Sequence, residues 1–231
     1  MQGLSCPEII VALDVDTMES AIDLVDKLYP KIKIFKVGSH LFTAYGPEII
    51  KMLHKRGAQV FLDLKYFDIP NTVASAVAAA TRLGVKMLTL HISGGKEMIE
   101  MAVKAADLQA RNFKIARPLL IGVTVLTSKA AGAGEVVALA REGVACNLDG
   151  VVCSVHEAAI LRDEIKKNFI IVTPGIRVDD TVKDDQKRTA TVAEAVKAGS
   201  NFLVIGRPII KAVDPSAKAG QLLGDLYGAG N

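Results

Sequence analysis

Short apolar runs rich in β-branched residues recur along the chain. They fall at Ile9–Asp14, Ile34–Val37, Gln59–Leu64, Met87–Ile92, Leu119–Leu126, Val151–Ser154, Ile170–Thr173 and Phe202–Ile205. The runs are nearly continuous rather than alternating, which marks strands covered on both faces, as in a parallel sheet. Between them lie segments with helical spacing. Thr17–Leu28 opens on an N-cap residue and places Ala21, Ile22, Val25 and Leu28 toward one side. Pro47–Lys55 begins with proline at a first helical position. Asn71–Leu83 is alanine-rich and ends before Gly84, a C-cap residue. Lys96–Leu108, Glu135–Arg141, Glu157–Lys166, Val192–Ala198 and Ala217–Leu226 complete the set. Strand and helix repeated in this way, with short turns, predict a (β/α)8 TIM barrel in a single domain over residues 1–231. An open doubly wound sheet would need a point where the strand order reverses, and no segment marks one. The least regular stretch, Gly175–Thr189, is long and polar, which predicts a functional loop and a candidate lid.

In such a barrel the chemistry sits at the C-terminal ends of the strands, and the polar residues fall there. Asp14 ends the first run, Lys36 lies in the second, and Asp63 and Lys65 end the third. Two residues apart on a strand, Asp63 and Lys65 share one face, and Asp68 follows in the turn. The charges of Lys36, Asp63, Lys65 and Asp68 cancel, which suits an alternating network; buried charges must pair. A structural salt-bridge cluster capping the barrel, with Asp68 as a helix N-cap, is the alternative. A second constellation suits phosphate. Gly206 offers an unhindered backbone N–H just before a helix, with Arg207 and Pro208 next to it. Barrel phosphate sites use the loops after strands seven and eight, where Arg177 and Gln186 are natural additional ligands. For Arg207 the alternative is a solvated surface charge.

Composition narrows the function classes. The chain has 231 residues, 28 Lys and Arg against 25 Asp and Glu, and a net charge of +3 without any long run of like charge. Nucleic-acid binding calls for a concentrated basic stripe, often with stacking aromatics; here aromatics are only 5% and no such partner is expected. The longest apolar stretches, such as Pro118–Leu126, fall far short of the ~20 residues that span a bilayer, and Met1–Ile10 does not read as a signal peptide. Cys6, Cys146 and Cys153 are odd in number and form no C-x-x-C pair, which favours reduced thiols in the cytoplasm. The histidines and cysteines show no zinc spacing. Gly95-Lys96 is not a Walker loop, and no G-x-G-x-x-G follows a strand. Asp179, Asp180, Asp184 and Asp185 lack the pattern of a calcium loop.

The segment Asp63-Leu64-Lys65-Tyr66-Phe67-Asp68-Ile69-Pro70-Asn71-Thr72 resembles the D-x-K-x-x-D-I-P-N-T signature of the orotidine 5′-monophosphate decarboxylase family. The likeness extends over nearly the whole chain. It takes in Ala12-Leu13-Asp14, Phe35-Lys36-Val37-Gly38, His91 to Gly95, Leu126-Thr127-Ser128, Thr173 to Arg177, Asp185-Gln186-Lys187-Arg188 and Val204 to Pro208. Relatives often have Asp-Gln-Arg-Arg where this chain has Asp-Gln-Lys-Arg, a minor departure. The resemblance implies that Lys65 protonates C6 of the pyrimidine, that Asp63 faces the substrate carboxylate, and that Lys36 ties the network together. It implies that Asp14 and Lys36 contact the ribose, that Thr127 lies near the base, with Gln186 bridging to it, and that Pro174 contacts the substrate. Arg177, Gln186, Gly206 and Arg207 would hold the phosphate. Asp68, Ile69 and Thr72 would enter the site of a partner subunit in a homodimer. The substrate implied is orotidine 5′-monophosphate, and no cofactor is implied. Barrels with a magnesium-dependent sugar-phosphate activity share D-x-K-x-x-D but carry an acidic residue where this chain has Lys36. They and a non-catalytic phosphate-binding protein are the alternatives.

Overall fold

The computed structural model describes residues 7–126, 132–177 and 190–229. Eight parallel strands close into a barrel in sequence order: β1 Glu8–Ala12, β2 Ile34–Gly38, β3 Gln59–Tyr66, β4 Met87–His91, β5 Leu119–Val123, β6 Gly150–Val152, β7 Ile170–Pro174 and β8 Phe202–Ile205. β8 returns to β1 through Ile9↔Leu203 and Val11↔Ile205, so no strand edge is left open. The pleat explains the unbroken apolar runs. Ile10, Ala12, Ile34, Phe61, Met87, Ile121, Val172, Phe202 and Val204 point into the barrel and pack with one another. Their neighbours Val11, Phe35, Val60, Leu62 and Leu203 point outward, into a larger core beneath the helices.

The helices follow the predicted segments, with local chemistry fixing their ends. In α1 (Met18–Leu28) the Thr17 hydroxyl accepts from the Ser20 N–H. The next helix, α2 (Ser39–Tyr45), has no counterpart in the sequence reading. It is seven residues long and fully buries only Leu41, too little for a periodic pattern. Gly46, at φ 55°, then breaks the chain before α3 (Pro47–His54), which starts on its proline. After β3 comes α4 (Pro70–Arg82), then α5 (Lys96–Phe113), α6 (Ala133–Ala145), α7 (Val155–Glu164) and α8 (Val192–Lys197). A single turn, α9 (Arg207–Ile210), the helix expected after Gly206, precedes α10 (Pro215–Ala229). Several boundaries differ from expectation: β3 continues to Tyr66, β1, β5 and β6 stop at Ala12, Val123 and Val152, and α5 and α6 run on to Phe113 and Ala145. No helix among the described residues is long and apolar enough to cross a membrane.

The strand beginnings are tied by two arginines. Arg117 lies 2.6 Å from both Asp107 and Asp149 and donates to the Pro118 carbonyl at 3.1 Å. Asp149 also accepts from the Leu120 N–H, which locks the start of β5 to that of β6. Arg162 donates to the carbonyls of Phe169 and Gly199 and to Asn201 Oδ1, which accepts from the Ile171 N–H as well. The guanidinium also stacks over the Phe169 ring at 4.7 Å.

Candidate active site

At the other end of the barrel the inward-facing residues change character. Above Ile34 on β2 stands Lys36; above Phe61 on β3 stands Asp63; above Ala12 on β1 stands Asp14. They ring the mouth of a cavity of about 250 Å³ whose floor includes Phe61, Val152, Val172 and Val204. Lys36 Nζ lies 3.5 Å from Asp14 Oδ1 and 3.5 Å from Asp63 Oδ2. Lys65 Nζ donates to both oxygens of Asp63 at 2.9 Å. Side-chain exposure ranks these groups: Asp63 keeps 12%, Lys36 14% and Lys65 38%. Lys65 is therefore the member of this trio best able to meet a ligand.

Asp63 is held as an anion. Burial pushes its pKa up, but the ammonium groups of Lys36 and Lys65, with hydrogen bonds from Lys65 and Thr89, outweigh burial and hold it below the ordinary carboxylate value. Unit charges ~4 Å apart attract by about 4 kcal/mol at an effective dielectric of 20, and two ammonium groups act on this one carboxylate.

The face shared by Asp63 and Lys65 does not arise from a regular strand. Leu62 pairs with Leu88 and Tyr66 with Leu90, so four steps along β3 match two along β4. The surplus is a bulge spanning Asp63 to Lys65, where Lys65 takes a left-handed φ of 51°. A non-glycine residue in that region costs about 1–3 kcal/mol and persists only when its surroundings enforce it.

The far rim carries Arg177, Gly206 and Arg207 beside Pro174. The sequence-based phosphate group is thus assembled, except Gln186. A Cβ at Gly206 would come within 3.2 Å of Asp14 Oδ2 and 3.4 Å of the Ala12 methyl. Glycine there lets the ends of β1 and β8 close up. The loop leaving β7 turns at Gly175 (φ 84°), and the Arg177 N–H donates to the Ala190 carbonyl at 2.8 Å, pinning the loop's two described ends together. Thr127, Gln186 and residues 178–189 of that loop lie outside the described residues.

Asp68, Ile69 and Thr72 do not line this chain's cavity; all three are exposed at the start of α4. Asp68 is not a helix N-cap. The cap position of α4 is Ile69, and Asp68 instead accepts from the Ile69 N–H at 2.6 Å. Phe67 and Ile69 beside it are 62% and 67% exposed.

Two contributors escaped the sequence reading. Phe61 floors the cavity, and Thr89 is the fully buried partner of the network. The available signal was phase: each sits at an inward position next to one already singled out. Among the described residues, no group of three or more His, Cys, Asp and Glu side chains is placed to hold a metal ion. The carboxylates bordering the cavity, Asp14 and Asp63, both face the Lys36 ammonium, which repels a divalent cation.

Comparison with known proteins identifies the family. Residues 7–222 match the family described as Orotidine 5'-phosphate decarboxylase / HUMPS. The chain is 47% identical over 220 residues to the orotidine 5'-phosphate decarboxylase of Coxiella burnetii, covering 90% of this chain and 92% of the relative. It is 46% identical to that of Legionella pneumophila, covering 95% and 99%. The crystal structure of the Lactobacillus acidophilus orotidine 5'-phosphate decarboxylase superposes with a TM-score of 0.84 at 35% identity, over 95% of this chain and 99% of that one. The chain belongs to the orotidine 5'-phosphate decarboxylase / HUMPS family.

Proposed function

We propose that this protein decarboxylates orotidine 5′-monophosphate to UMP and CO2, the last step of de novo UMP synthesis, as a cytoplasmic enzyme using neither metal nor organic cofactor. The observation that carries this reading is the Lys36–Asp63–Lys65 network over an apolar floor, with Arg177 and Arg207 on the opposite rim. Orotidine 5′-monophosphate has matching ends: a dianionic phosphate at one and a reacting carboxylate at the other.

In the reaction the bond from C6 to the carboxylate breaks, CO2 leaves, and the electron pair remains on C6. That pair cannot delocalise into the ring, so its stabilisation must come from fixed charge in a site that excludes water. Lys65 supplies an ammonium for the developing carbanion and then the proton that bonds to C6, to be regained from solvent. Asp63, kept ionised by its two lysines, opposes the substrate carboxylate and favours its departure. Asp14 and Lys36 hold the ribose, and Thr127 and Pro174 border the base. Arg177, Gln186, Gly206 and Arg207 bind the phosphate, whose remote binding energy fixes the base against Lys65. Lys36, by repelling a divalent cation, disfavours magnesium-dependent sugar-phosphate chemistry at this site.

The acting unit in this reading is a homodimer. A side chamber of about 260 Å³, bounded by Ser39, His40 and Leu41, shares Asp14, Lys36, Asp63 and Lys65 with the main cavity. It leaves room for Asp68, Ile69 and Thr72 of the partner subunit, whose exposure with Phe67 supports an interface there. Asp68 then supplies the fourth alternating charge.

Loss of orotidine monophosphate absorbance, followed with EDTA present, tests the chemistry. Turnover is expected; turnover only of a sugar phosphate, and only with magnesium, overturns the reading. Mixing inactive Lys65→Ala and Asp68→Ala chains tests the shared site. With free exchange, half the dimers are mixed and each has one intact site of two, so activity should return to about a quarter of wild type. No recovery despite demonstrated exchange rules the sharing out.

A further inference from the structure

Thr89 is the fully buried polar residue of β4, and it occupies the place where the ladder between β3 and β4 fails. Opposite the bulge, the Lys65 N–H turns to the Thr89 hydroxyl oxygen at 2.9 Å. The same hydroxyl donates to Asp63 Oδ1 at 2.9 Å. The two bonds are ordered. An amide can only donate, so the threonine oxygen accepts there and directs its own proton to the carboxylate. One side chain therefore fixes the backbone of the proton donor and the orientation of the anion that faces it. Thr89 is not among the residues bordering the cavity, so it acts without touching a ligand.

We propose that Thr89 is a positioning residue for the decarboxylation, a splint that holds Lys65 in its left-handed conformation and aims Asp63 at the Lys65 ammonium. The inference rests on the function proposed above for the kinetic part of its test, and on geometry alone for the rest. Without the hydroxyl, the Lys65 N–H is left buried in a bulge with no ladder carbonyl opposite, and Asp63 can rotate away. Lys65 Nζ then samples positions off the line to C6. Misplacement by about 1 Å costs on the order of 100-fold in rate.

Threonine and valine have nearly the same shape, so Thr89→Val removes both hydrogen bonds while conserving volume and strand preference. Thr89→Ser keeps the hydroxyl. Steady-state kinetics with orotidine monophosphate, UMP affinity by calorimetry, thermal melting and amide exchange at Lys65 form one experiment. For Thr89→Val we expect kcat to fall between about 10- and 100-fold, with KM and UMP affinity changing less than about 3-fold, since Arg177 and Arg207 still hold the phosphate. The Lys65 amide should exchange at least about 10-fold faster, because its hydrogen bond is gone. Thr89→Ser should recover both kcat and exchange protection. A Thr89→Val enzyme with wild-type kcat and wild-type Lys65 protection overturns the proposal. So does a kcat loss that serine fails to recover while melting as the wild type does. If the wild type itself does not turn over orotidine monophosphate, the functional reading fails; the exchange comparison still decides whether Thr89 holds Lys65.

Discussion

Both ends of the barrel keep charge away from bulk water, and they use it in opposite ways. At the strand beginnings, Arg117 is engaged by Asp107, Asp149 and the Pro118 carbonyl, and Asp149 also accepts from the Leu120 N–H. Burial works against the Arg117 charge, but Asp149 and Asp107 outweigh it and raise its pKa. Arg162 is held instead by neutral acceptors, the carbonyls of Phe169 and Gly199 and Asn201 Oδ1, and burial lowers its pKa. At the strand ends, Lys36 stands 3.5 Å from each of two carboxylates, Lys65 is more than one-third exposed, and a cavity opens beside them. Charges satisfied at short range by the ends of several elements bind the frame together. Charges that border open space, Lys36 with contacts of 3.5 Å and Lys65 more than one-third exposed although bonded to Asp63 at 2.9 Å, stay available to a ligand. The distinction agrees with the general division of barrels into a stabilising face and a reactive one.

If that division holds, Lys65→Ala should lower kcat/KM for orotidine monophosphate by at least about 10⁴-fold while the melting temperature moves by no more than about 3 °C. Near-normal turnover would mean the upper network is merely structural. Arg207→Ala, on the far rim, should raise KM for the nucleotide about 100-fold, the worth of a bidentate phosphate contact, and leave binding of the bare nucleoside almost unchanged. Equal losses for both compounds would remove Arg207 from the phosphate site. Arg117→Ala sharpens the contrast from below. It leaves Asp107 and Asp149 without their shared cation and should cost about 2 kcal/mol, seen as a melting temperature lower by roughly 4–8 °C with kcat intact.

The smallest effect is on acid stability. Asp63 has a folded pKa below its unfolded value, so its contribution is fully present above about pH 4 and disappears as pH falls through the lowered folded value. Melting curves of the wild type and Asp63→Asn should run parallel above about pH 5 and converge or cross as the solution is acidified below pH 4. A gap that stays constant through that window would show that folding leaves the Asp63 titration unshifted.

The barrel was legible because a strand buried on both faces needs apolar residues in both phases, and few other folds repeat that eight times. The charged residues were legible for the complementary reason: Lys36 and Asp63 interrupt runs that otherwise admit no charge. What the chain concealed were departures from regularity. The two-residue spacing of Asp63 and Lys65 presumed an ordinary pleat. Their side chains do meet, but through a bulge that depends on the register of β4, information held some 25 residues further along. Thr89 looked like filler within Met87–His91 because threonine is at home in strands. The α2 helix, Ser39–Tyr45, was hidden by its brevity. Asp68 was weighed as a cap, yet the helix begins one residue too late for it.

The backbone at position 65 has an evolutionary corollary. A φ of 51° suits glycine or asparagine better than lysine, so under the proton-donor role proposed for Lys65, selection for turnover keeps there a side chain that selection for thermal robustness alone would discard. In a lineage released from making its own pyrimidines, position 65 should be among the first in the barrel to drift, and toward those two residues. Lysine at that position in a diverged genome thus marks a gene still under pressure to react rather than merely to fold.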